Sequence, residues 1–74
     1  MHIIELQRQP VELHKILKFE GLASSGGEAK ALIADGQVLV NDAVETRKRR
    51  KMLAGDVITV AGERYLLTKG DGAS

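Results

Sequence analysis

Ser25 and Glu28, followed by Ala29, Leu32, Ile33 and Gly36, constrain this chain more than any other stretch. The Ser-x-x-Glu spacing predicts a capping box. In it the Ser25 hydroxyl accepts from the Glu28 amide, and the Glu28 carboxylate reaches back to the Ser25 amide. Ala29, Leu32 and Ile33 fall at i, i+3 and i+4, one apolar face of a helix. Gly36 stands where a left-handed residue ends such a helix. Start, face and stop agree. Two neighbouring features bear on function: Lys30 on the polar face of this helix, and a downstream basic run of Arg47, Lys48, Arg49, Arg50 and Lys51.

The flanking segments complete a small α+β pattern. Ile3, Ile4 and Leu6 read as an edge strand closed by Pro10, a residue also suited to a helix's first turn. Leu13, Ile16 and Leu17 supply the apolar face of a helix over residues 11–19, with Phe19 near its end and Gly21 as its stop. Only a few residues separate the two helices, so they form a compact helix-turn-helix. After Gly36 the period shortens. Val38 and Val40 alternate inward, Asn41-Asp42 suits a tight turn, and Val44 begins the return. Gly55-Asp56 marks another turn before Val57, Ile58 and Val60. Residues 61–64 turn the chain again, and Tyr65, Leu66 and Leu67 form a last strand. The expected architecture is a helix-turn-helix packed on a small sheet of short strands. It spans one domain over residues 1–69, with 70–74 as a flexible tail.

Size and charge narrow the function classes. A chain of 74 residues has room for one small core and none for a separate catalytic domain. It has no cysteine, which excludes disulfides and thiolate metal sites and fits a reducing compartment. No apolar run is long enough to span a bilayer, and the first residues lack the pattern of a signal peptide. A cytoplasmic protein is therefore expected. The net charge is only +1, but five of the 11 basic residues are consecutive, so any polyanion site depends on a local field.

The chemistry-bearing residues argue against catalysis. His14 is a lone helical histidine, and His2 lies at the terminus; neither has the nucleophile or paired carboxylates that acyl or glycosyl chemistry needs. Gly26-Gly27 lacks the Lys-Ser/Thr of a phosphate loop. These glycines serve either to turn the chain into the helix or to leave the amides of Ser25, Gly26 and Gly27 open to a phosphate. The basic run is either a solvated face or a phosphate-binding loop, and a compact domain has no stability reason to keep five adjacent like charges. Each cation that meets a phosphate releases counterions, which drives binding to a polyanion. Lys30, with Lys15 and Lys18 as further members, extends this patch if the helices pack beside it. Phe19 and Tyr65, the only aromatic residues besides the histidines, sit in apolar contexts that suit core roles, leaving no platform for stacking bases.

Leu13, Leu17, Gly21-Leu22-Ala23 and Ser25, then Ala29, Leu32-Ile33, Gly36, Val38 and Val40-Asn41, then Gly55-Asp56, Ile58 and Val60 form a spaced pattern. It resembles the RNA-binding domain named after small-subunit ribosomal protein S-four, or alpha-L motif, over residues 11–60. That module recurs in pseudouridine synthases, tyrosyl-tRNA synthetases and a heat-shock protein of stalled ribosomes. The Gly-Gly-Glu-Ala-Lys variant is most similar to small stand-alone YbcJ-type proteins of bacteria. The resemblance implies that the second helix and the following strand-loop grip RNA backbone. Lys30 matches a basic position of the helix, and Arg47, Lys48, Arg49, Arg50 and Lys51 fall in the basic loop. Glu12 and Gly26 stand where many members have arginine, and His14 where they have aspartate, which implies a weaker or redirected contact.

The resulting expectation is a stand-alone RNA-binding module, not an enzyme, with no cofactor or metal. Lys30, Arg47, Lys48, Arg49, Arg50, Lys51, Ser25, Gly26 and Gly27 would meet the phosphates of structured RNA, ribosomal or transfer RNA being the candidates. The module would be a monomer, away from membranes, with room for a protein partner. The alternative is a protein-interaction adaptor whose basic loop binds an acidic partner. A sulfur-carrier-like domain is disfavoured because such carriers end in Gly-Gly, and this chain ends Gly72-Ala73-Ser74.

Overall fold

The computed structural model describes residues 1–70. Strand β1 (His2–Leu6) is followed by the short β2 (Val11–Glu12), helix α1 (Leu13–Phe19) and helix α2 (Gly26–Ala34). Five further strands follow among the described residues: β3 (Val38–Val40), β4 (Ala43–Val44), β5 (Lys51–Met52), β6 (Val57–Val60) and β7 (Glu63–Lys69). Five strands form one sheet in the order β1-β7-β6-β3-β4, in which only β1 and β7 run parallel. The remaining two strands, β2 and β5, make a separate antiparallel ladder. Alternation places Ile4, Leu6, Val38, Val40, Ile58, Val60 and Leu67 on the buried face. There they meet Leu13, Ile16 and Leu17 of α1 and Ala29 and Ile33 of α2 in one aliphatic core.

Both helices end in the same way. The amides of Gly21 and Leu22 donate to the carbonyls of Lys18 and Leu17, and those of Gly36 and Gln37 to Ile33 and Leu32. This is the paired bonding of a Schellman motif, with Gly21 at φ 74° and Gly36 at φ 77° in the left-handed region. Asn41 and Asp42 also have positive φ, 52° and 69°, so the β3–β4 hairpin turns as its sequence suggests.

Four expectations change. Helix α1 begins at Leu13 and not near residue 11, because Val11 and Glu12 pair with Met52 and Lys51 instead. Pro10 accordingly precedes β2, after a cis bond from Gln9, rather than opening the helix. Phe19 is 71% exposed, not in the core. It lies two residues, about 200° of helical rotation, beyond Leu17 and so falls off the buried stripe. Leu32 is only partly buried; Ala29 and Ile33 form the fully buried stripe of α2. At the far end Lys69 still belongs to β7, and the Gly70 amide donates to the Leu6 carbonyl at 3.0 Å. The rest of the expected tail, 71–74, lies outside the described residues.

Candidate nucleic-acid interface

The start of α2 is capped, but by a different reciprocal bond from the one expected. The Glu28 amide donates to Ser25 Oγ at 3.1 Å, as the spacing requires. The Glu28 carboxylate passes Ser25 and accepts instead from the amide and hydroxyl of Ser24, at 2.9 and 3.0 Å. Neither Gly26 nor Gly27 has positive φ, and a Cβ at Gly26 would meet nothing within 4 Å. The backbone therefore does not demand glycine there; the two glycines leave the helix start uncovered. Lys30 is exposed one turn further along the same helix.

The basic loop is held from two sides. Its carbonyls satisfy the first amides of α1: Leu13 donates to Arg50 at 2.9 Å and His14 to Lys48 at 3.1 Å. These are groups that a helix cannot bond internally. From the other side the loop is gathered by Glu45, a residue that charge counting of the run alone passes over. Glu45 is only 7% exposed, and its own amide continues the β3–β4 ladder by donating to Val38. Its carboxylate accepts from Arg47 Nε at 2.9 Å, Arg47 Nη2 at 3.2 Å, the Arg47 amide at 3.0 Å and Arg50 Nη1 at 2.9 Å. The Arg47 hydrogen bonds, assisted by Arg50 and opposed by desolvation, hold the Glu45 carboxyl down to about 2. The same bonds push the Arg47 guanidinium up. The visible signal in the sequence is position: Glu45 is the last acid before a stretch of five cations.

This anchoring divides the run. Arg47, Lys48 and Arg49 line an open groove with Lys30, Ala31 and Ala34 of α2 and with Thr46. Ala31 and Ala34 are small, apolar members of a lining that otherwise consists of four cations and Thr46. Arg50 turns inward to Glu45, and its Nε is buried without a partner among the described residues. Lys51 lines a second groove with Arg8, Lys15, Phe19 and the carboxylates of Glu5, Glu12 and Glu20, where its ammonium lies 4.0 Å from Glu12. Glu12 also accepts from His14 Nε2 at 3.0 Å and pairs with Lys15 at 3.8 Å, contacts that lower its pKa, with the His14 hydrogen bond the largest cause. Lys15 therefore belongs to this charge-balanced side and not to the basic groove. The groove brings together Lys30, Arg47, Lys48 and Arg49; Ser25, Gly26 and Gly27 sit at the start of the same helix but do not line it.

A family model for the S4 domain matches residues 4–68, nearly the whole described chain. The chain belongs to the S4 domain family. YbcJ of Escherichia coli, which bears a provisional RNA-binding name, is 51% identical over 63 residues, covering 84% of this chain and 90% of that protein. The probable ribosome maturation protein RlbA of Bacillus subtilis is 36% identical over 59 residues, covering 80% and 83%. The solution structure of Escherichia coli YbcJ, described as revealing an alpha-L motif involved in RNA binding, matches with a TM-score of 0.70 at 46% identity. That match covers 92% of this chain and 87% of the other. The S4 domain fold is thus α+β here as there, with two helices on a mixed sheet, and its basic groove opens between the second helix and the loop that follows β4.

Proposed function

We propose that this S4 domain is an RNA-binding module that grips structured RNA through backbone phosphates. The observation that carries the reading is the groove that Lys30 of α2 lines together with Arg47, Lys48 and Arg49 of the loop. Cations at fixed spacing recognise phosphate positions and carry little base information, so affinity should depend steeply on salt and weakly on sequence. The open amides at Ser25, Gly26 and Gly27 would add a phosphate contact at the start of the same helix. Arg50 and Lys51 would act indirectly, the first by holding the loop and the second within its own ion pairs. The relatives support RNA as the partner, and the name of RlbA favours ribosomal RNA, met in the cytoplasm, as the target.

Fluorescence anisotropy with a labelled ribosomal stem-loop tests this. The protein should bind with affinity that falls steeply as salt rises, and a variant with Lys30, Lys48 and Arg49 all changed to Gln should lose most of it while folding normally. Undiminished affinity in that triple variant would remove the groove from the site.

A further inference from the structure

Glu45 is an unexpected neighbour for a phosphate-binding loop. A carboxylate beside the site lowers the local positive charge, since Arg47, Arg50 and Glu45 together carry +1 instead of +2. On charge alone the site would be stronger without it. Yet Glu45 is buried, and it is the acceptor on which two arginines of the run converge. Its bonds to Arg47 use one edge of the guanidinium, the Nε and one Nη2 hydrogen, and leave three of the five N–H donors of that side chain unused. Arg47 is still 72% exposed at its side chain and lines the groove together with Lys30. A long, flexible cation is thereby held by one edge in a groove that it lines, with its remaining donors free for a phosphate.

We propose that Glu45 is a positioning residue of the RNA site: it gives up local charge to fix Arg47, and through Arg50 the whole loop, in a phosphate-binding geometry before RNA arrives. This rests on the RNA-binding reading and extends it to the conformation of the free protein. The gain comes from ordering these side chains during folding instead of during binding. Arginine suits the role because its planar fork satisfies a carboxylate on one edge while presenting the other; lysine cannot do both.

Glu45→Gln separates orientation from charge, because the two predict opposite signs. The substitution adds one unit of net positive charge, so a site that works by charge alone binds RNA more tightly. A site that needs Arg47 held in place binds the stem-loop about three- to tenfold more weakly at physiological salt, the cost of fixing a rotamer-rich side chain at the moment of binding. Equal or tighter binding by a folded Glu45→Gln protein overturns the proposal. Should that variant fail to fold, Arg47→Lys at an exposed position preserves charge and removes the fork; unchanged affinity there overturns it equally. A readout independent of RNA accompanies both: the Arg47 Nε–H resonance of the free protein should be resolved and slow to exchange with water, and should lose that protection in Glu45→Gln. If the wild-type protein shows that protected resonance but no salt-dependent RNA binding, the RNA reading fails and the positioning role toward RNA falls with it. If wild type binds RNA and the resonance is unprotected, only the positioning proposal fails.

Discussion

Glu45 links the charge of the loop to the stability of the fold. Its carboxyl is held at about 2 in the folded chain against an ordinary 4.5, so between those values the unfolded chain binds more protons. The stabilisation is present in full above about pH 4.5 and is lost as pH falls toward 2. Glu12, also lowered, acts in the same direction. Acid titration followed by circular dichroism should therefore show wild type losing stability across this window, and Glu45→Gln losing distinctly less. In the core, Ile33 has no exposed surface, and Ile33→Ala should cost about 2–5 kcal/mol in urea or thermal melts. That approaches the whole stability of a small domain. Leu32→Ala should cost less, and Phe19→Ala should stay within about 0.5 kcal/mol because its ring already stands largely in water.

At the scale of elements, α2 and the basic loop line the basic groove jointly. Removing the cap with Ser25→Ala should destabilise by about 0.5–2 kcal/mol, measured by denaturant melts. Within the loop the cations should not be equivalent. Removing one cation that neutralises a phosphate should reduce the salt slope by about 0.7–0.9, so Lys48→Gln and Arg49→Gln should flatten it while Lys51→Gln, already beside Glu12, should change it less. Equal effects at all three positions would mean that the run acts as an undivided patch. Helix α2, its glycine stop and the Asn41-Asp42 turn were legible in the sequence because each is written in local chemistry: a cap, a period, a left-handed residue. The grouping of Lys30 with the basic run was legible as a patch that forms if the helices pack beside the loop, and the family pattern added a second reason to expect it. The β2–β5 ladder and the inward turn of Arg50 were not legible, since two-residue strands have no period and Arg50 meets Glu45 only through the conformation of the loop between them. Phe19 misled because an aromatic beside an apolar helix reads as core until the rotation of the helix is counted.

For the molecule as a whole, the two grooves predict a ligand preference. The basic groove holds four cations and no aromatic ring, whereas the exposed Phe19 borders the groove in which three acids offset three bases. Folded RNA, which presents phosphates at fixed spacing, should outcompete poly-pyrimidine single strands at matched phosphate concentration and salt. A reversed preference would direct attention to stacking on Phe19. The sheet itself has a temporal implication. Among the described residues β7 is the one strand that pairs with β1, with His2 opposite Tyr65 and Leu6 opposite Lys69, so the first strand of the sheet is completed by the last. Both helices and the basic loop can emerge from the ribosome before Ile4 and Leu6 acquire the neighbour that closes the core around them. Pairings this distant in sequence carry a large loop-closure cost and slow folding relative to chain length. The finished sheet therefore forms only after β7 has emerged, and a nascent chain stalled before that point would carry both helices and the basic loop while β1 still lacks its partner.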